Sequence, residues 1–115
     1  MTVQELMEAL GAPNTVEGAD LTAKITCGYT CDLLSWVLAH GKQGMAWVTM
    51  QTHVNVIAVA VLMEMACVIL SEGVVLEEAA MSKAREEGIA VLTSDKTAYE
   101  LAGMMMQIGV QPPEE

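Results

Sequence analysis

Three short apolar runs mark the second part of the chain: Met45-Ala46-Trp47-Val48-Thr49-Met50, Cys67-Val68-Ile69-Leu70 and Ile89-Ala90-Val91-Leu92. None of them alternates polar with apolar positions. Uninterrupted apolar runs of this length fit strands buried on both faces, as parallel strands are. Each run is followed by a few polar residues and then by a longer segment of helical character. These segments are His53 to about Met65, about Leu76 to Glu87, and Thr97 to Gln107. Gly88 stands where the second of them should stop. Strand and helix thus alternate three times, which predicts an α/β fold with parallel strands and right-handed crossover helices.

The first part of the chain is less regular. Val3 to Leu10 reads as a short helix, with Thr2 as its cap and Glu5 where a capping box needs a carboxylate. Gly11 and Pro13 end it. Asn14 to Asp20 is polar and turn-like, and a weak strand is expected over Leu21 to Thr26. Asp32 is placed to cap a helix over Leu33 to His40, with Gly41 at its end. Thr52 is placed to cap the helix that begins at His53, and Gln111 to Glu115 reads as a solvated tail. No linker interrupts the pattern. The expected organisation is one domain over residues 1–115, with its core in 20–109, a short N-terminal helix at 3–10 and the tail at 111–115.

Composition sharpens this picture. With 53% hydrophobic residues, only 3% aromatic and no Phe, the core of this 115-residue chain must be aliphatic, with ten Met to fill irregular gaps. Fifteen acidic residues against five basic ones give a formal charge of −10. That balance argues against nucleic acid, whose binding rests on Lys and Arg neutralising phosphates, and against an anionic membrane surface. The longest apolar run, Val56 to Met63, is far short of the roughly 20 residues that a spanning helix needs. Met1-Thr2-Val3-Gln4-Glu5 has no basic flank before an apolar stretch, so it does not read as a secretory signal. Cys27, Cys31 and Cys67 are odd in number and form no C-x-x-C pair. Reduced thiols in a cytoplasm are the expectation. A metal site on Cys27 and Cys31 would lack a second ligand pair, so no metal and no cofactor is expected.

In an open parallel sheet, ligands bind beyond the carboxyl ends of the strands, where loops lead into helix N-termini. Three polar segments meet that description: Thr49-Met50-Gln51-Thr52-His53, Ser71-Glu72-Gly73 and Thr93-Ser94-Asp95-Lys96-Thr97. The candidate ligand-binding residues are therefore Thr49, Gln51, Thr52, His53, Asn55, Ser71, Glu72, Gly73, Asp95 and Thr97. Plain helix capping accounts for Thr52 and for Asp95 or Thr97 equally well. His53 could donate to an anion or a partner loop, but the sequence places no catalytic partner beside it. Consecutive residues of a helix point in different directions, so Met104-Met105-Met106 suits core and interface rather than a metal. The sequence contains no phosphate loop, dinucleotide fingerprint, H-E-x-x-H or nucleophile elbow.

Four stretches carry a family resemblance: Gly28-Tyr29-Thr30-Cys31-Asp32-Leu33-Leu34-Ser35, Trp47-Val48-Thr49-Met50-Gln51-Thr52-His53-Val54-Asn55, Val68-Ile69-Leu70-Ser71-Glu72-Gly73 and Ile89-Ala90-Val91-Leu92-Thr93-Ser94-Asp95. In order and spacing they resemble the DRTGG domain, similar to the N-terminal domain of HPr kinase/phosphorylase. The resemblance implies a three-layer α/β/α fold with a mainly parallel central sheet. It also implies an accessory, regulatory role beside kinase, CBS or phosphotransacetylase domains. The family's Asp-Arg pair is replaced here by Thr52-His53, and its Thr-Gly-Gly turn by Ser71-Glu72-Gly73. Glu72 would place a negative charge in the pocket, which argues against a phosphate there.

The leading expectation is a non-catalytic regulatory or ligand-sensing domain that acts as a homodimer or larger assembly and responds to a small-molecule effector. One alternative is a protein-interaction module recruited to a kinase or to another signalling or metabolic complex. Another is a small enzyme using His53 with Asp95 or Glu72. Self-association is expected because a short chain of mean hydropathy +0.41 should leave apolar surface in water. Trp36, Val37 and Met104–Met106 are the candidates for that surface.

Overall fold

The computed structural model describes residues Met1–Glu114. In chain order the elements are α1 (Val3–Leu10), β1 (Cys27–Thr30), α2 (Leu34–His40), β2 (Met45–Thr49), α3 (Val54–Leu62), β3 (Cys67–Leu70), α4 (Glu78–Glu87), β4 (Ala90–Thr93) and α5 (Ala98–Gln107). The strands form one sheet of order β1-β2-β3-β4, and all three pairings are parallel. The fold is α/β, as the rhythm of the sequence implies.

Helices lie on both faces of the sheet. Val37 of α2, Val56, Ile57 and Ala60 of α3, and Ala80 and Ala84 of α4 pack on Met45, Trp47, Val68, Leu70 and Val91. On the other face, Val3, Leu6 and Leu10 of α1 and Leu101 and Met105 of α5 pack on Ala46, Val48, Cys67, Ile69, Ala90 and Leu92. Alternate residues of each strand therefore feed opposite cores. Helix α1 lies inside the second core rather than ahead of it, so the core extends beyond the expected 20–109. Trp47 is fully buried, and its indole N–H donates to the Cys31 carbonyl at 2.8 Å. Among the described residues, no helix is long and apolar enough to cross a membrane.

The first strand departs from the expected one. Residues Leu21 to Thr26 make only an isolated antiparallel bridge, Thr2 to Lys24. The strand proper is Cys27-Gly28-Tyr29-Thr30, of which only Cys27 is buried. Gly28 hides it from a reading of apolar runs, since glycine weakens a strand and packs no side chain. Close approach of α5 requires that glycine. A Cβ at Gly28 would lie 2.9 Å from Met105 Cε and 3.0 Å from Val110 Cγ1.

Other boundaries shift for local reasons. Asp32 does not cap α2; Leu33 occupies the cap position without a side-chain bond, and Asp32 turns to the β2 loop instead. Helix α3 ends at Leu62, not near Met65, because Glu64 adopts a left-handed φ of 56° and Met65 N–H turns back to the Ala60 carbonyl. Helix α4 starts at Glu78 rather than Leu76, and β2 and β4 lie within one residue of expectation. Val37 and Met105, proposed above for an interface, are core residues; Trp36 and Met106 are exposed, and Met104 is half-buried.

Helices α1 and α5 both begin with capping boxes, Thr2 with Glu5 and Thr97 with Glu100. Hydrogen bonds from the backbone and hydroxyl of those threonines hold the two carboxyls below their ordinary 4.5. A carboxyl lowered on folding adds stability that is complete above its unfolded value and lost as pH falls through the folded one. The urea midpoint should therefore drop as pH is taken from 7 to below about 4, and Glu100→Gln should flatten that drop. A second expectation follows from Gly28. Gly28→Val should cost about 1–3 kcal/mol in urea unfolding, through overpacking against Met105 and Val110.

Candidate functional site

Because the strands are parallel, the loops after β1, β2, β3 and β4 all emerge at one edge of the sheet. Main-chain bonds fasten them side by side. Ser71 N–H donates to the Thr49 carbonyl at 3.1 Å, and Ser94 N–H to the Leu70 carbonyl at 3.0 Å. Glu72 N–H donates to the Lys96 carbonyl and Gly73 N–H to the Ser94 carbonyl, both at 2.9 Å. Glu77 N–H reaches back to the Thr52 carbonyl at 3.1 Å. The candidate segments from the three apolar strands are thus brought together, and the loop after β1 joins them.

Asp32 makes that fourth connection, and the sequence reading assigned it a different task. Its Oδ1 accepts from Thr49 Oγ1 at 2.7 Å and from Met50 N–H at 2.9 Å. Its carbonyl accepts from Gln51 Nε2 at 3.0 Å. Thr49, only 1% exposed, also accepts from Gln51 N–H. Thr49 and Gln51 therefore hold the loop itself, with Asp32 as the pivot. An aspartate placed just after a strand reads equally well as a helix cap, so only the three-dimensional partner distinguishes the two.

His53 is the cap of α3, in place of Thr52. Its Nδ1 accepts from Asn55 N–H at 3.1 Å. An accepting Nδ1 leaves the imidazole proton on Nε2. Among the described residues, no carboxylate is hydrogen-bonded to His53, so a pair with Asp95 or Glu72 is not formed. Thr97 caps α5, and Asn55 is exposed on the first turn of α3.

Glu72 and Gly73 are both left-handed, with φ of 61° and 70°. Such a φ is uncommon for a residue other than glycine. Here it aims both N–H groups at the β4 loop. Asp95 Oδ1 sits against Gly73, 2.8 Å from where a Cβ would be. The N–H groups expected to await an anion are largely committed: those of Met50, Gln51, Asn55, Glu72, Gly73 and Lys96 all have partners. The uncapped N-terminus of α4 carries Glu77 and Glu78. Asp32, Glu72 and Asp95 also lie here and outnumber Lys96, so the edge is net acidic and poorly suited to a phosphate.

Ser71 differs from its neighbours. The residue is 2% exposed, and its hydroxyl has no hydrogen-bond partner among the described residues. No enclosed polar side-chain atom is left unpaired, so this hydroxyl opens toward the edge. The loops and helix starts at this edge also carry exposed apolar side chains that the sequence reading did not select: Leu33, Met50, Val75 and Tyr99, the last 90% exposed. Each belongs to a loop or first helical turn, where a lone apolar residue gives no periodic signal.

The cysteines form no metal centre. Among the described residues, no three His, Cys, Asp or Glu groups come together as ligands. Burial in β3 pushes the Cys67 thiol up to about 12, which leaves it unreactive. A groove of about 1110 Å3 lies away from the loop edge, along β1.

The fold is shared with the crystal structure of the CBS and DRTGG domains of the regulatory region of Clostridium perfringens pyrophosphatase, solved with its activator diadenosine tetraphosphate. The TM-score is 0.68 at 10% sequence identity, over 92% of this chain and 46% of that one. The chain thus spans about half the length of the structure it matches. No family model matches the sequence. No curated protein matches it either.

The cap at His53 sets an expected outcome. His53→Ala should cost about 0.5–2 kcal/mol in urea unfolding, the usual loss for a helix cap. His53→Asn, which restores an acceptor at that position, should recover most of it.

Proposed function

We propose that this chain is a DRTGG-like regulatory domain, akin to the N-terminal domain of HPr kinase/phosphorylase. In this reading it is a single domain that senses a small-molecule effector in a cytoplasm, works as a homo-oligomer and performs no chemistry of its own. The observation that carries the reading is the loop edge itself. Four loops are fastened together there around a serine that is almost wholly buried and whose hydroxyl is unpaired. A hydroxyl so placed lacks a partner that a ligand can supply. The pyrophosphatase likeness supports the regulatory part of the reading, since that region is a regulatory one with a bound activator.

The chemistry of the edge selects the effector class. Asp95 and Glu72 offer acceptors, Ser71 a hydroxyl, and Leu33, Met50, Val75 and Tyr99 an apolar rim. Most backbone donors are already in use. This set suits an uncharged or cationic molecule with hydrogen-bond donors and an apolar body. It does not suit a phosphate-rich ligand such as the activator in the pyrophosphatase structure. His53, held as a cap with Nε2–H outward, supplies one donor at the rim.

Native mass spectrometry of gently purified protein, followed by thermal-shift titration of each compound recovered, tests the proposal. An uncharged or cationic compound should raise the melting temperature. Ser71→Val should weaken its binding tenfold or more while the protein stays folded. Diadenosine tetraphosphate at the same concentration should give no shift. Binding that survives both Ser71→Val and Asp95→Asn would place the site elsewhere and overturn the reading.

A further inference from the structure

We propose that a second copy of this chain docks antiparallel on the open edge of β1, with Thr30 opposite Thr30 of the partner subunit. This rests on the self-association reading above and adds the surface and its geometry. The two edges of the sheet are unlike. At β4 the segment Pro13–Val16 runs alongside, with Thr15 N–H to the Val91 carbonyl at 2.9 Å and Thr93 N–H to the Pro13 carbonyl at 3.0 Å. At β1, among the described residues, one main-chain bond covers the edge, from Gly28 N–H to the Gln111 carbonyl at 2.8 Å.

Backbone alternation fixes what remains open. Gly28 points outward to Gln111, and Cys31 N–H points inward to the Val48 carbonyl at 3.2 Å. Thr30 therefore turns its N–H and C=O outward, and neither has a partner among the described residues. The free edge ends there, because the Asp32 carbonyl is bound by Gln51. An added peptide strand needs a series of alternating groups. One open residue suffices for a two-fold pairing, in which Thr30 and Thr30 of the partner subunit exchange both bonds.

The groove along this edge is shaped and charged for self-contact. It runs between α2 and α5, and Tyr29, Trp36, Ala39 and Met106 supply its apolar lining. Trp36 is 50% and Met106 51% exposed. The Trp36 ring is already set: it stacks on His40 at 4.1 Å, and its N–H donates to Tyr29 Oη at 2.8 Å. A preset aromatic anchor loses little freedom on binding. The chain carries −10 overall, yet among the described residues the groove is lined by a single carboxylate, Glu114, and a single ammonium group, Lys42. Two copies meeting here avoid the like-charge repulsion that the acidic loop edge would impose.

Light scattering on the eluting full chain tests this at micromolar concentration. The wild type should show twice the 12.3 kDa chain mass. Thr30→Pro removes the outward N–H at a strand edge, where proline is tolerated, and spares the bonds to β2, so it should elute as a folded monomer with an unchanged circular dichroism spectrum. Trp36→Glu should do the same, whereas Tyr99→Glu at the loop edge should remain dimeric. In a Cys31→Ser background, Thr30→Cys should cross-link to itself on oxidation, since opposed residues of such a pair lie about 5.5 Å apart. A dimer that persists in both Thr30→Pro and Trp36→Glu, without the cross-link, would overturn the edge pairing and leave self-association standing. A monomeric wild type would overturn both.

Discussion

The strand order governs the rest of the structure. In a parallel sheet of order β1-β2-β3-β4, successive right-handed crossovers all fall on one face. Helices α2, α3 and α4 fill that face. The opposite face is equally apolar, as the buried Ala46, Val48, Cys67, Ile69, Ala90 and Leu92 show, and no crossover is left to cover it. The two ends of the chain must do so, and α1 and α5 do. That requirement explains why an eight-residue N-terminal helix is fully engaged in the core, and why β1 holds a glycine where α5 leans on it. The same order leaves β1 and β4 as edges. The stretch between α1 and β1 covers one of them, and among the described residues the chain after α5 is hydrogen-bonded to the other at Gly28.

The loop edge is built by backbone and carboxylate more than by free donors. Asp32 binds two donors of the β2 loop, and the left-handed pair Glu72-Gly73 spends its N–H groups on the β4 loop. A helix N-terminus at a sheet edge ordinarily favours an anion. Here the favourable partial charges are partnered by His53, Thr97 and neighbouring carbonyls, and the remaining side-chain charge, Lys96 included, is net acidic. The edge keeps the position of a ligand site while its electrostatics point away from phosphate.

Much of the architecture could be read from the sequence because β2, β3 and β4 are apolar on both faces, and such runs permit little besides a covered parallel sheet. Cys67–Leu70 was legible to the residue, as was the capping box of α1, whereas the box that Thr97 forms with Glu100 was read only as a possible cap. The strand β1 was not, since Cys-Gly-Tyr-Thr carries no apolar run and its strand state depends on pairing with β2. Asp32 and His53 were visible as polar residues near helix starts, but their roles were exchanged with those of neighbours. Local sequence specifies that an acceptor is needed at a helix start, while the route of the loop decides which side chain arrives. Ser71 was a candidate on position alone. Its burial and its unpaired hydroxyl are properties of four converging loops, which no single stretch of sequence contains.

The two surfaces that matter are joined through a short stretch of backbone. Thr30 ends β1 at the open edge, and Asp32, two residues later, anchors the loop that carries Thr49, Gln51 and His53. Between them Cys31 N–H binds the Val48 carbonyl, and its own carbonyl holds the buried Trp47 indole. This segment is bonded along its length to β2 and the loop after it, so it has little freedom to shift by itself. Any displacement of Asp32 by an occupant of the loop edge must be taken up by β1 or by the pairing of β1 with β2. The strand whose outer edge is open is therefore the same strand from which the pivot of the loop edge is hung.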